Sequence, residues 1–201
     1  MNEIQKSTVE VDDGAIIFDN VTFLGLCKVG KGSTIYPNSI IINSTIGCDC
    51  EVFCSVIEDS IVSDNVKIGP FAHVRPNSVI ESYCRVGNFV EIKNSTIGKG
   101  TKVSHLAYVG DAIVGKNCNI GCGAIFVNYS GKEKFCTIVG NDCFIGSNCN
   151  VIAPVTIAAH SYICAGTTLT KNTHEWDFVI GREREIIKSG KAREYLRRDD
   201  A

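Results

Sequence analysis

The sequence lacks both a dominant charge and long hydrophobic runs. Across 201 residues, 20 lysines and arginines stand against 22 aspartates and glutamates, which gives a net charge of −2. Proteins that bind nucleic acids carry a basic excess, so we expect no nucleic-acid partner. Because the longest apolar runs are only a few residues, we also expect no membrane-spanning helix, no membrane partner and no signal peptide. The length and composition predict one cytoplasmic domain.

Methionine and tryptophan occur once each, whereas there are 11 cysteines. An odd cysteine count without an export signal argues against a disulfide framework. The spacings also do not fit a zinc site, because Cys48-x-Cys50 and Cys118-x-x-x-Cys122 are not C-x-x-C pairs and no closely spaced histidine pair accompanies them. We therefore expect no metal, and reduced thiols that fill the core.

A six-residue period organises the chain. An aliphatic residue returns at every sixth position over a long central stretch: Val62, Ile68, Val74, Ile80, Val86 and Ile92. This period fits neither an α-helix nor one long alternating strand. It is typical of short strands joined by tight turns, three strands to a coil, with successive coils hydrogen-bonded as in a parallel sheet. The sequence therefore predicts an all-β fold, a single-stranded parallel β-helix built from hexapeptide repeats.

Two segments interrupt the period. Val139 comes thirteen positions after Phe126, and the additional residues are polar and contain glycine. We expect a projecting loop there, at about residues 127–138. From about Lys171 the repeat is lost and charged residues accumulate. Residues 171–201 are therefore interpreted as a C-terminal tail that is partly helical, and the β-helix domain is expected over residues 1–170.

A coil of 18 residues places Arg75 directly beside Lys93, about 4.8 Å away. Two cations at that distance repel each other by roughly 1–3 kcal/mol at an effective dielectric of 20 to 80. A bound dianion would reverse the sign of that interaction, which favours a phosphate site. The alternative is two solvated side chains that point apart.

Coils of 17 residues place Glu91 beside Tyr108 and Asn88 beside His105. We expect these side chains to cluster with the two cations near one corner of the β-helix. A histidine among polar groups is a candidate general base, although a lone histidine is more often structural. Cys122 lies one coil beyond the histidine, where it is either a Cys–His nucleophile or only a small turn residue.

The order of several short motifs makes this chain similar to a known enzyme family. The motifs are IGPFAHVRP at residues 68–76, VGNFVEIK at 86–93, HLAYVGDA at 105–112, NIGCG at 119–123, NY at 128–129 and APVT at 153–156. From about Thr8 to Arg182 the chain resembles the acetyltransferase domain of the bifunctional N-acetylglucosamine-1-phosphate uridyltransferase/glucosamine-1-phosphate acetyltransferases. This family is part of the hexapeptide-repeat transferases, and the resemblance implies that the β-helix is left-handed.

The resemblance also implies an activity. The expected reaction moves acetyl from acetyl-CoA to the amine of glucosamine 1-phosphate, for UDP-N-acetylglucosamine and cell-envelope synthesis. His105 matches the general base, with direct transfer and no acyl-enzyme. The implied cofactor is acetyl-CoA, used as co-substrate without a metal. The implied assembly is a homotrimer with sites between subunits.

The remaining site residues are transferred from the family motif by motif. Those expected to bind the sugar phosphate are Arg75, Lys93, Tyr108, Asn119, Lys134 and Glu91. Those expected to contact acetyl-CoA are Cys122 (through its backbone), Asn128, Tyr129, Ser147, Ala165 and Arg182.

Three departures from the family leave alternatives open. The uridyltransferase domain is missing, so we expect no uridylyl transfer, and a separate nucleotidyltransferase is a candidate partner. Ser130 stands where the family usually has an acid, and Cys122 where it has alanine. The acceptor could therefore be another amino sugar or a nucleotide-linked one. The alternative of a different class is a non-catalytic β-helical subunit.

Overall fold

Short strands alternate with tight turns along residues 7–195, the part of the chain that the computed structural model describes. Each coil contributes one strand to each of three faces, so that the chain winds into a triangular prism. The winding is left-handed and has about ten turns. The predicted fold class, a left-handed parallel β-helix, is therefore confirmed.

The first face is a nine-stranded sheet. Its strands are Thr8–Val11, Leu26–Val29, Thr45–Ile46, Ile61–Val62, Val79–Ile80, Thr96–Ile97, Ala112–Val114, Thr137–Val139 and Val155–Ile157. The second face contains Ile16–Ile17, Thr34–Ile35, Glu51–Val52, Lys67–Ile68, Asn119–Ile120, Phe144–Ile145, Tyr162–Ile163 and Phe178–Val179. The third contains Thr22–Leu24, Ile40–Ile42, Val56–Glu58, His73–Val74, Ile125–Val127, Asn150–Ile152 and Thr168–Leu169.

Two strands of nine residues, Arg85–Lys93 and Lys102–Gly110, run around the corner from the second face to the third. They pair with each other in parallel with a shift of 17 residues, so that Asn88 lies opposite His105 and Glu91 opposite Tyr108. The two neighbours predicted from the 17-residue spacing are therefore present. Because the paired stretch continues through the bend, the backbone on both sides of this corner is held in one register.

The aliphatic residues of the six-residue period form the core. Ile68, Val74, Ile80, Val86 and Ile92 all have exposures of 1% or less. Each lies inside a strand from which one side chain points inward while its neighbours point outward, as strand geometry requires. The six-residue period therefore corresponds to one buried aliphatic residue on each face of the prism in every coil.

Most cysteines are also in the core. Buried thiols point into the prism at Cys27, Cys50, Cys84, Cys118, Cys143 and Cys149. The Cys84 thiol donates to the carbonyl of Gly98 at 3.1 Å, and burial raises its pKa to about 11. These thiols act as small apolar residues whose one donor is satisfied by backbone.

At the corner between the second and third faces, bulky residues adopt left-handed backbone conformations. Phe71, Phe89 and Leu106 have φ of 58°, 56° and 38°, and Gly123 follows on the next coil with 74°. We call this edge the Leu106 corner. Left-handed backbone is costly for residues with a Cβ. Here it is stabilised by backbone hydrogen bonds between coils, such as the one of 3.1 Å that the Phe89 N–H donates to the Phe71 carbonyl.

The two predicted interruptions have different structures. The loop leaves the prism between Val127 and Thr137 and is closed by an antiparallel bridge between Tyr129 and Lys134. The sheet continues beyond residue 170, because Phe178–Val179 pairs with Tyr162–Ile163. The segment after it ends in a short 3₁₀ helix, Lys191–Glu194. Residues 1–6 of the predicted domain and 196–201 of the predicted tail lie outside the described residues.

Over residues 7–195, no helix has the length and apolar character needed to span a bilayer. Within that same range, no three metal-binding side chains converge on one point.

Candidate active site

Arg75 and Lys93 occupy equivalent positions on adjacent coils of the third face. The register pairs Val74 with Ile92, and the residue after each of them points outward because side chains alternate along a strand. Both cations line one cavity of about 550 Å³, and the loop adds Lys134 to it. The neighbours predicted from the 18-residue spacing are therefore present, and one cavity has three positive side chains. We call it the cation cavity.

An ion pair orients the Arg75 guanidinium. Its Nη1 lies 2.7 Å from Oε1 of Glu91 on the next coil, and this hydrogen bond raises the pKa of Arg75 above its ordinary value. Lys93 makes no ion pair with any residue from 7 to 195. The ammonium group is therefore available to an anion in the cation cavity, and the guanidinium keeps further N–H donors for the same anion.

Tyr108 lies beside Glu91 and reaches toward the cation cavity. Its ring extends over Gly110, where a Cβ would overlap the ring and its hydroxyl. The Asn128 amide donates to this hydroxyl at 3.3 Å and makes a shorter hydrogen bond to Asp111. The absence of a side chain at Gly110 thus lets an aromatic ring lie beside the cations.

Asp111 is the carboxylate of the cation cavity. It accepts a hydrogen bond of 2.6 Å from the Asn94 amide in addition to that from Asn128. With Glu91 included, three cations face two carboxylates, so the group has one surplus positive charge. A phosphate dianion is favoured there by charge as well as by donor geometry.

His105 lies at the opposite edge of the third face, next to the Leu106 corner. The imidazole is exposed, its Nδ1 lies 2.9 Å from Oδ1 of Asn88, and it does not line the cation cavity. It is five positions before Gly110 in the chain, at most roughly 17 Å of extended chain. The single corner cluster expected from the sequence is therefore spread across one face, with Tyr108 between the cations and the imidazole.

A column of exposed residues continues from His105 along the Leu106 corner. Cys122, Ser147 and Ala165 hold the same position on the next three coils, and backbone hydrogen bonds of 2.7–2.8 Å join the coils at this edge. The Arg182 guanidinium donates to the carbonyl of Ala165 at 2.9 Å. We call His105, Cys122, Ser147 and Ala165 the corner column. Four of the residues expected to contact acetyl-CoA therefore lie along one edge with the histidine.

Three predicted residues lie elsewhere. Asn128 is buried beside Tyr108 and Asp111, on the side of the cation cavity, and not on the corner column. Tyr129 is exposed in the loop. Asn119 is on the second face, paired with Lys102, and is not brought to the cation cavity within this chain.

Sequence reasoning did not assign roles to Asn88, Asp111 or Gly110. For Asn88 the signal was available, because the 17-residue spacing already placed it beside His105. Asp111 and Gly110 follow Tyr108 in the HLAYVGDA motif. Their roles depend on the Asn128 amide, which lies outside that motif and reaches them only through the coil stacking.

Two family models match successive parts of the chain. Residues 56–131 match the family model of the GMPPB C-terminal domain, and residues 136–171 match that of the bacterial transferase hexapeptide with six repeats. The bifunctional protein GlmU of Clostridium beijerinckii is 48% identical over 182 residues, which are 90% of this chain and 40% of that protein. Over nine-tenths of its length, the chain is homologous to part of GlmU.

The resemblance to the acetyltransferase domain, stated from the sequence motifs, is therefore confirmed. The bifunctional protein GlmU of Clostridioides difficile is 44% identical over 195 residues, 97% of this chain and 42% of that protein. This GlmU homologue thus spans about two-fifths of the length of these curated relatives. A solved structure of Arabidopsis UDP-N-acetylglucosamine acyltransferase aligns with a TM-score of 0.55 at 18% identity, covering 83% of this chain and 67% of that one, and shares the β-helix fold.

Proposed function

We propose that this GlmU homologue transfers acetyl from acetyl-CoA to the amine of glucosamine 1-phosphate. The observation that carries the proposal is the layout of one face. The cation cavity of Arg75, Lys93 and Lys134 lies at one edge, and the His105–Asn88 pair lies at the other. A sugar phosphate has a dianion at one end and, in this case, an amine at the other. Its two ends match the two edges of the face.

The phosphate end belongs in the cation cavity. Lys93 contributes an ammonium that forms no ion pair within residues 7–195, and Arg75 contributes the N–H donors that Glu91 does not use. Charge-assisted hydrogen bonds to phosphate are stronger than neutral ones. Tyr108 lies along the path from this cavity to the imidazole, so its ring and hydroxyl are placed to contact the sugar.

At the other end, His105 accepts the proton. The nitrogen lone pair of the amine attacks the thioester carbonyl, and a tetrahedral intermediate forms. Nε2 of the imidazole takes the proton that the nitrogen must lose, while Nδ1 donates to Asn88. The carbon–sulfur bond then breaks, and the coenzyme leaves as a thiolate that takes up a proton. The products are N-acetylglucosamine 1-phosphate and free coenzyme A.

Acetyl-CoA is assigned to the corner column. Three coils separate His105 from Ala165, roughly 14 Å, so an extended chain along this edge has its thioester next to the imidazole. The column has only small side chains after the histidine: Cys122, Ser147 and Ala165. Arg182, which crosses to Ala165, then contacts the distal part of the coenzyme.

The same proposal includes a cytoplasmic homotrimer. Asn119 lies on the second face of its own chain, so it can contact substrate only at the site of a neighbouring subunit. A separate nucleotidyltransferase would then convert the product, N-acetylglucosamine 1-phosphate, into UDP-N-acetylglucosamine. Uridylyl transfer is not assigned to the residues described here.

A panel of amino sugars tests the acceptor. Purified protein is incubated with acetyl-CoA and either glucosamine 1-phosphate, glucosamine 6-phosphate, glucosamine or UDP-glucosamine, and the N-acetylated product is quantified by mass spectrometry. This readout avoids thiol reagents, which would also react with the exposed Cys122 and Cys136. We expect glucosamine 1-phosphate to give the highest kcat/KM.

Two results would contradict the proposal. Preference for UDP-glucosamine would retain the chemistry and replace the acceptor with a nucleotide-linked sugar. Absence of product with every acceptor, together with absence of acetyl-CoA binding in calorimetry, would favour a non-catalytic subunit.

A further inference from the structure

A second cavity opens on the second face, away from the cation cavity. Its volume is about 460 Å³, and it is lined by one carboxylate, two cations and four uncharged residues: Glu51, Lys67, Arg85, Phe53, Ile68, Gly69 and Pro70. None of these residues has a role in the proposed acetyl transfer. The cavity has an aromatic ring at one end, a glycine at its floor and cations along one side.

The aromatic end is the last ring of a stack. Phe18, Tyr36 and Phe53 lie on successive coils, with ring centroids 5.2 Å and then 3.5 Å apart and with planes inclined by 12° in both pairs. The next two positions of this column are Gly69 and Gly87, so no side chain continues the stack. A Cβ on Gly69 would overlap the carbonyl of Phe53, which keeps this position bare. One face of the Phe53 ring therefore borders an open slot one coil deep.

The cations beside the slot form a column of their own. The register pairs Lys67 with Arg85 and Arg85 with Lys102, so three positive side chains point outward on successive coils. Glu51 pairs with Lys67 at 2.9 Å at the lower end. Within residues 7–195, Arg85 and Lys102 form no ion pair. Like charges about 5 Å apart repel, and a chain of bound phosphates would relieve that repulsion.

We infer that this cavity, the Phe53 slot, binds a nucleotide. The planar base continues the aromatic stack on Phe53 over Gly69, and the phosphates follow the cation column from Lys67 through Arg85 to Lys102. Stacking on an aromatic ring accepts any base, since each has a π-face, while Arg and Lys beside it bind phosphate oxygens. The volume lies within the range of ligand pockets. The inference does not depend on acetyl transfer.

The Phe53 slot is distinct from the edge assigned to acetyl-CoA. That edge runs from His105 toward Ala165, whereas the slot itself lies on earlier coils of the second face. Lys102, at the upper end of the cation column, is on the same strand as His105. Because coenzyme A itself contains an adenosine phosphate, the two sites must be separated by variants. Arg182, at the far end of the coenzyme edge, serves this purpose.

Calorimetric titration of the whole chain with ADP, UDP, adenosine and inorganic phosphate tests the inference. We expect saturable binding of both diphosphates and much weaker binding of adenosine or phosphate alone. Arg85→Ala should weaken ADP binding by about tenfold or more, because it removes a charged hydrogen bond. Phe53→Leu should weaken it by about fivefold or more, and Phe53→Tyr should restore it, which separates lost stacking from misfolding.

Matched controls come from the same column and from another corner. Phe18→Leu removes the far ring of the stack, and Lys116→Ala removes a cation on a different edge. Both should bind ADP within about twofold of wild type. If Arg182→Ala binds ADP more weakly than wild type while Arg85→Ala and Phe53→Leu bind it as wild type does, the inference is overturned, because ADP would then occupy the coenzyme edge. Absence of binding by both diphosphates in the wild type would also overturn it.

Discussion

Nδ1 of His105 lies 2.9 Å from Oδ1 of Asn88, which occupies the equivalent position one coil earlier. A carboxamide oxygen only accepts hydrogen bonds, so in this arrangement Nδ1 carries the proton and Nε2 keeps its lone pair. The contact therefore selects the tautomer that a base acting through Nε2 requires. Asn88 is in this sense a positioning residue for the proposed base.

Removing that contact should lower turnover. In Asn88→Ala the imidazole loses its orienting partner, and we expect kcat to fall by roughly tenfold, the equivalent of one hydrogen bond. KM for both substrates should change less than kcat, because Asn88 lies outside the cation cavity. Steady-state kinetics measures both constants. Asn150→Ala, an exposed asparagine on the third face, is the control, and an unchanged kcat in Asn88→Ala would remove the orienting role.

Charge removal at the cation cavity should act on substrate binding. Lys93 makes no ion pair within the described chain, so Lys93→Ala leaves no carboxylate newly unpaired. We expect KM for glucosamine 1-phosphate to rise by roughly 10- to 100-fold, the range for a lost hydrogen bond to a charged group. KM for acetyl-CoA should stay near wild type. Lys116→Ala is the matched control on another corner, and equal KM values in the two variants would contradict a phosphate site here.

Gly110 offers a test of the Tyr108 position. A Cβ at this residue would overlap the far end of the tyrosine side chain, which can swing away at a cost of about 1 kcal/mol or less in folding stability. We expect Gly110→Ala to fold normally in thermal unfolding and to raise KM for the sugar phosphate, since the displaced ring also leaves Asn128. In a Tyr108→Ala background the same substitution should have no further effect. If Gly110→Ala raised KM for the sugar phosphate as much in the Tyr108→Ala background as in wild type, Gly110 would be acting independently of the ring.

The buried thiols predict a pH dependence of stability. Burial raises the pKa of Cys84 to about 11 from 9.0, so the thiol stays protonated in the fold while the unfolded chain ionises. This contribution is complete below pH 9 and is lost as pH rises to 11, a change of about 3 kcal/mol. The stability advantage of wild type over Cys84→Ala, measured by denaturant unfolding, should therefore shrink by about 2 kcal/mol of this total between pH 9 and 11. A stability advantage that stays constant from pH 9 to 11 would show that burial does not perturb the Cys84 thiol.

Much of the fold follows from one repeated constraint. A residue such as Ile92 must point inward once per face, and a coil of 17 or 18 residues then fixes every neighbour, including Arg75 with Lys93. Handedness does not follow from the period, because mirror-image coils bury the same residues; it came from family resemblance. The strand Phe178–Val179 was not predicted, since charged residues around it hide the repeat.

The site could be predicted only where coil stacking determines it. Spacing placed Glu91 beside Tyr108 and Asn88 beside His105, and both pairs are present. Spacing does not report where the chain turns a corner, so the position of His105 at the Leu106 corner, away from the cation cavity, was missed. The Asn128 contacts were missed as well, because the loop that follows Asn128 breaks the register on which the stacking depends.

In the proposed reaction, the His105 imidazole takes the proton from an amine whose phosphate lies at Arg75 and Lys93. The most direct test is kcat for N-acetylation of glucosamine 1-phosphate by His105→Ala beside wild type, at saturating acetyl-CoA and with matching circular dichroism and unfolding midpoints. We predict that kcat falls by about 10²- to 10⁴-fold in this variant. A folded His105→Ala protein whose kcat stays within about threefold of wild type would contradict the account, because such a change is well below 1.4 kcal/mol of barrier height.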